Sequence, residues 1–303
     1  MTKTSESHIV SEPQDTAEVR LDSGVATVVR RYGREDGTRI LLSHGNGLAA
    51  DAYYPFWSLF LDDFEVVVYD CRNHGWNPVG NPDDHNPQVF AEDLDRAILP
   101  GVQDAFGQKP TVGCFHSLSA LVGLLLPSRG ADFSGLLLYD PPVCRPGMQQ
   151  QHFDSQVEQV AHALRIRQED FDNHEQFVDL SETSPMLRGI DRRTLRLLAE
   201  TTLRPRADGP GYALRCPPAY EAQAMQFITA YAVLVDIKKM ECPVKVIGGD
   251  PTAPFAYLPS VDPELVMTVD YDFVPDCGHY LQLQRPDICH ALAMDFLRLI
   301  AMI

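Results

Sequence analysis

Hydrophobic positions fall into short apolar runs separated by stretches with helical spacing. Residues 26–31 (ATVVRR) and 39–43 (RILLS) have strand composition and flank a Gly- and Asp-containing turn, GREDG. Residues 53–61 carry apolar side chains at helical spacing, and 64–69 (FEVVVY) form a β-branched run too hydrophobic for a sheet edge. A polar loop, NPVGNPDDHNP, then leads into a helix marked by Phe90, Leu94, Ala97 and Ile98. Residues 111–115 read as a strand, 119–126 as a helix and 135–139 (GLLLY) as another strand. From Cys144 to about Met240 the pattern turns polar, helical and strand-poor, with QVEQVAHALRI, RRTLRLLAETTL and AYEAQAMQFITAYAVLV as its main pieces. Strand character returns at 244–248 (VKVIG) and 265–274, and a helix over 288–300 closes the chain.

Strands alternating with helices at such short intervals predict an α/β fold: a mostly parallel central sheet with helices on both faces, because parallel neighbours need a crossover. The helical block interrupts this core once. The expected organisation is a core from 1–143 and 241–303 with a helical lid, 144–240, inserted between them. Two independent domains would leave the last two strands to form a sheet alone, which two strands rarely do. No internal repeat is visible.

Charge narrows the partners. Forty-two acidic residues against 25 Lys and Arg give a formal net charge of -17, which repels phosphate backbones and anionic lipid, so neither nucleic acid nor membrane is an expected partner. No run approaches the roughly 18 apolar residues of a membrane span, and the polar N-terminal stretch lacks the apolar core of a signal peptide. Seven cysteines, odd in number and without C-x-x-C spacing, fit a reducing compartment better than a disulfide or zinc framework. The expected location is the cytoplasm. Oligomeric state is not legible.

Chemistry collects where the predicted strands end. In an open parallel sheet the carboxyl ends gather loops and helix N-termini with unpaired N–H groups. Here His44-Gly45-Asn46-Gly47 follows one strand, Ser117 another, Asp140 a third, Asp250 a fourth, and His279 comes after the last. A serine on a tight turn from strand to helix has its hydroxyl pushed outward, but needs a base within hydrogen-bond reach to act as a nucleophile. His279 is the best-placed base, and it needs a carboxylate on its far nitrogen.

These residues and their order resemble the α/β-hydrolase superfamily over nearly the whole chain. His44-Gly45-Asn46-Gly47 is similar to the oxyanion loop and Asp70-Cys71-Arg72-Asn73-His74-Gly75 to the family's D-x-R-G-H-G stretch. Phe115-His116-Ser117-Leu118-Ser119 resembles the nucleophile elbow, Gly249-Asp250-Pro251-Thr252-Ala253-Pro254 the acid loop, and Gly278-His279-Tyr280-Leu281-Gln282 the histidine loop. Two departures stand out: Phe115 and Ser119 replace the glycines of G-x-S-x-G, and Asn73 replaces a further glycine. Phe115 must therefore tilt the helix or point into the pocket.

The resemblance implies Ser117 as nucleophile, His279 as base and an aspartate to orient it. Asp250 is favoured for that place and Asp140 is the alternative. Backbone amides of Asn46 and Leu118 are implied for the oxyanion hole, with no metal and no organic cofactor. His44 and His74 are expected to brace their loops, His116 to be structural, and Ser119 to be a small packing residue. Trp57, Phe153, Phe177, Tyr220, Phe227 and Tyr231 are expected in the core, with an acyl pocket as the other use. The implied activity is hydrolysis of a carboxylic ester, thioester or lactone of a small or medium hydrophobic molecule through an acyl-enzyme. Ser117 argues against dehalogenases and epoxide hydrolases, which use an aspartate. An acyltransferase, a cofactor-free dioxygenase of the same fold and a non-catalytic receptor or scaffold are the alternatives.

Overall fold

The computed structural model describes residues 7–22, 24–144, 148–252 and 270–303. Its strands are β1 (Asp15–Arg20), β2 (Ala26–Gly33), β3 (Arg39–Ser43), β4 (Glu65–Val68), β5 (Thr111–His116), β6 (Gly135–Tyr139), β7 (Asp170–Phe171), β8 (Leu203–Pro205), β9 (Tyr212–Leu214), β10 (Val244–Gly248) and β11 (Asp270–Phe273). Eight of them form one sheet in the order β1-β2-β4-β3-β5-β6-β10-β11, and β7-β9-β8 form a small second one. β1 and β2 pair antiparallel, as do β2 and β4, whereas every other pairing in the large sheet is parallel.

The inner strands β3, β5 and β6 are buried at every position, as a parallel sheet covered on both faces requires. Alternation divides their side chains between two cores. Leu41, Phe115 and Leu138 join one, with α2 (Pro87–Asp93), α3 (Leu99–Phe106) and α4 (Leu118–Leu124). Leu42, Cys114 and Tyr139 join the other, with α1 (Tyr54–Trp57) and the C-terminal helix Pro286–Leu299. Between β6 and β10 lie α5 (Met148–Ile166), α6 (His174–Glu182), α7 (Arg192–Thr202) and α8 (Pro218–Ala232). Their apolar faces enter the same two cores: Phe153, Val157 and Met225 on one side, Leu195 and Leu198 on the other.

Three details differ from the sequence reading. β1 lies in the stretch read as a polar leader; of its side chains only Val19 is buried, so the backbone ladder to β2 holds it and the apolar pattern does not announce it. The helix expected from Phe90 is interrupted by a wider π-turn over Leu94–Ile98, just ahead of Pro100, which has no N–H to give and whose ring crowds the carbonyl four residues back. The small sheet β7-β9-β8 breaks a segment read as strand-poor. Of the strand expected over 265–274, residues 265–269 lie outside the described residues and β11 occupies Asp270–Phe273.

Candidate active site

Because β3, β5, β6 and β10 run parallel, their carboxyl ends share one edge of the sheet. Ser117 follows β5 with φ 52° and ψ -113°, a left-handed backbone that a serine adopts only under constraint. It occupies the N-cap position of α4, yet its side chain makes no capping hydrogen bond. The hydroxyl points instead to His279, with Oγ 2.8 Å from Nε2. Ser119 holds the bend: its Oγ accepts from the His116 N–H and donates to the His116 carbonyl, both at 3.0 Å. It is a hydrogen-bonding member of the elbow and more than the packing residue expected.

On its other nitrogen His279 meets Asp140, Nδ1 to Oδ2 at 2.6 Å. Asp140 follows β6, is fully buried, and receives a second hydrogen bond from the Gly249 N–H at 3.3 Å on Oδ1. The preference for Asp250 is reversed here. Asp250 is turned away from His279; its carboxylate accepts from the Thr252 N–H and hydroxyl and from the Asp276 N–H. Those bonds, the Thr252 hydroxyl foremost, hold its pKa below the usual range and brace the loop that carries His279. The two aspartates follow neighbouring strands, so strand-end position alone did not separate them.

His116 works through both ring nitrogens. Nε2–H donates to the His279 carbonyl at 2.8 Å, which leaves Nδ1 to accept from the Tyr53 hydroxyl at 2.6 Å; that hydroxyl in turn accepts from the Gly45 N–H at 3.1 Å. One chain of hydrogen bonds thus ties the Gly45 loop, the elbow and the His279 loop together. Burial drives His116 well below its ordinary pKa, with the neighbouring His279 adding to the effect, so it stays neutral and keeps this pattern. Tyr53 had no signal in the sequence beyond its place on a predicted helix. His44 bridges likewise, donating from Nδ1 to the Gly45 carbonyl at 2.8 Å and accepting from the Cys71 N–H at 3.0 Å.

The bulky elbow residue is accommodated by glycines elsewhere. Phe115 is fully buried and does not line the site cavity. A Cβ at Gly113 would sit 2.5 Å from its Cε2, and one at Gly123 would sit 3.1 Å from its Cδ2. The space the motif glycines would leave is therefore supplied one turn along α4 and two residues back on β5. Asn73, at φ 62°, takes a left-handed position that asparagine tolerates, and its side chain is used: Oδ1 accepts from the Gly80 N–H and Nδ2 donates to His85 Nδ1.

A cavity of about 90 Å³ opens beside Ser117 and His279. Gly45, Asn46 and Gly47 form one wall, and Val160, Leu164, Met186 and Met225 supply apolar surface. Arg167 and Glu221 also line it, joined to each other by an ion pair. None of the six aromatic residues weighed from the sequence lines this cavity; Trp57, Phe153 and Phe177 are buried in the two cores. The backbone N–H of Asn46 meets no acceptor among the described residues. Leu118 is the first residue of α4, where an N–H has no partner within the helix. Glu221 is buried, and desolvation raises its pKa to about 7 against the opposing pull of Arg167.

Donor atoms of His74, His85 and Cys216 lie within 4.8 Å of one another. His85 Nδ1 already accepts from Asn73, because the Asn73 oxygen is held by Gly80, so the remaining proton sits on Nε2. The two imidazoles are also stacked, at 27° and 5.1 Å.

Residues 40–292 match the model of the alpha/beta hydrolase family. The chain is 22% identical over 191 residues to protein phosphatase methylesterase 1 of Pongo abelii, an alignment covering 62% of this chain and 48% of that one, so it spans about half the length of that curated relative. Among solved structures it superposes on E-2-(acetamidomethylene)succinate hydrolase with a TM-score of 0.72 at 17% identity, covering 94% of this chain and 100% of that one. A thermophilic esterase from Thermogutta terrifontis, with malate bound, gives 0.67 at 19% identity, covering 94% and 99%. At these identities the two structures speak for the fold. With the family model spanning most of its length, the chain belongs to the alpha/beta hydrolase family.

Proposed function

We propose that this hydrolase is a serine esterase whose triad is Ser117, His279 and Asp140, acting through an acyl-enzyme on a carboxylic ester, thioester or lactone. The observation that carries this reading is the unbroken chain from Ser117 Oγ to His279 Nε2 at 2.8 Å and from His279 Nδ1 to Asp140 at 2.6 Å. Asp140 accepts from Nδ1–H, so the lone pair of Nε2 faces the serine. Ser117 Oγ attacks the substrate carbonyl while His279 takes its proton. The tetrahedral oxyanion is held by the backbone N–H groups of Asn46 and Leu118, and one such donor is worth about 3 kcal/mol in the barrier. The imidazolium, steadied by Asp140, then protonates the leaving alkoxide or thiolate. Water, deprotonated by the same imidazole, attacks the acyl-enzyme and releases the acid.

The cavity size and the apolar walls from Val160, Leu164, Met186 and Met225 favour a small or medium substrate with an apolar body. Four of the residues that close it over Ser117 come from α5 and α8, which supports residues 144–240 as a lid. The relative's methylesterase name and the neighbour's esterase title agree with an ester bond as the point of attack. Seven buried cysteines suit a reducing cytoplasm. No helix among the described residues is long and apolar enough to cross a membrane.

The test is a panel of esters and thioesters of graded acyl length, assayed with the wild type, Ser117→Ala and His279→Ala. Turnover that peaks at short to medium chains and is lost in both variants supports the reading. Turnover that survives Ser117→Ala sinks it.

A further inference from the structure

Resting on the esterase reading, we infer that the substrate carries a carboxylate at the end remote from the scissile bond, and that Arg167 is the residue that binds it. Arg167 is the one Lys or Arg among the described residues that line the cavity beside Ser117 and His279. Its guanidinium is incompletely used. Nη2 pairs with Glu221, whereas Nε is buried and meets no partner among the described residues. A guanidinium presents five N–H donors in a planar fork, and a buried donor left open has a strong demand for an acceptor. A carboxylate is the common substrate group that a guanidinium binds most strongly.

Glu221 sets the position of this cation and does not cancel its use. A Cβ on Gly47 would lie 2.6 Å from the Glu221 carboxyl carbon, and the Asn46 side-chain Nδ2 donates to the Glu221 backbone carbonyl at 2.9 Å. The pair is therefore clamped against the loop whose amides face the reacting carbonyl. Burial raises the Glu221 pKa to about 7, against the pull of Arg167. Apolar side chains of Val160 and Leu164 lie on the same wall, which suits a short methylene chain ending in an anion.

Paired esters that differ only in the terminal group test this. Monomethyl succinate, glutarate and adipate are compared with methyl butyrate, valerate and hexanoate, which places the carboxylate in the acyl half. Butyrate esters of glycolate and of 3-hydroxypropanoate, against ethyl and propyl butyrate, place it in the alcohol half. In the wild type at least one charged ester should exceed its neutral partner in kcat/KM by about tenfold to a hundredfold, the worth of one charge-assisted hydrogen bond. That ratio should collapse toward unity in Arg167→Gln and recover in part in Arg167→Lys. Independently of any variant, free glutarate or adipate should compete with a neutral ester in the wild type. The inference is overturned if no charged ester is preferred, or if the preference persists in Arg167→Gln. A protein that cleaves neutral esters without preference loses only this inference; one that cleaves none of the esters removes the esterase reading as well.

Discussion

Replacing Asp140 by asparagine is the sharpest single perturbation of the proposed triad. The Gly249 N–H donates to Oδ1 of Asp140 and therefore fixes the oxygen of an introduced amide on that side, leaving its NH₂ against His279. An NH₂ cannot accept from Nδ1–H at 2.6 Å, so the imidazole must move its proton to Nε2. Nε2 then faces Ser117 as a donor and no longer as a base. The expected loss is on the order of 10³–10⁴-fold in kcat, about 4–5.5 kcal/mol of barrier, with a nearly isosteric side chain and little change in fold. Asp250→Asn is the paired control: its oxygen still accepts from one of the Thr252 and Asp276 groups, and the loss should stay below about tenfold, since a braced loop is only loosened. Initial rates on one good ester, with thermal melts as a check on folding, decide the matter. A thousandfold loss in Asp250→Asn alongside a mild effect in Asp140→Asn would refute the assignment.

Other outcomes follow from the same geometry. Gly113→Ala should destabilise the protein by about 1–3 kcal/mol in urea unfolding, because its methyl would lie 2.5 Å from the Phe115 ring and 2.7 Å from Leu136; pairing it with Phe115→Leu should recover part of that loss. Tyr53→Phe leaves both the Gly45 N–H and His116 Nδ1 without partners, at a cost of about 1–3 kcal/mol for each buried group, and should lower kcat more than it raises KM. Glu221, with a native pKa of about 7 against 4.5 in the unfolded chain, contributes stability that is fully present below about pH 4.5 and lost as pH rises through about 7, up to about 3 kcal/mol in all. Urea titrations of Glu221→Gln and wild type between pH 5 and 8 should therefore differ in slope, the variant lacking that decline.

Much of this architecture is legible in the chain because parallel strands covered on both faces are apolar at most positions. β3, β6 and β10 accordingly occupy the runs RILLS, GLLLY and VKVIG with no shift in their bounds. β1 escapes notice because an edge strand is held by its backbone ladder and needs only Val19 in the core. At the site, the sequence singles out Ser117 and His279, which the fold brings to 2.8 Å of each other. It cannot rank Asp140 against Asp250, since both follow strands on the same edge and only the direction of each side chain separates them. Phe115 shows the same limit from another side. The glycines that admit its ring, Gly113 and Gly123, lie outside the five-residue motif and gain meaning only once strand and helix are packed. Arg167, just past the end of α5, and Glu221 in α8 come together across 54 residues of sequence, and no local pattern announces the pair.

The central claim is that the Ser117 hydroxyl, held at a constrained bend against His279, is a nucleophile. Intact mass spectrometry after exposure to a fluorophosphonate, with peptide mapping, measures this directly. The account predicts one adduct per chain on Ser117, absent in Ser117→Ala and formed far more slowly in Asp140→Asn. A folded wild-type protein that takes up no label, or takes it at another residue, would contradict it.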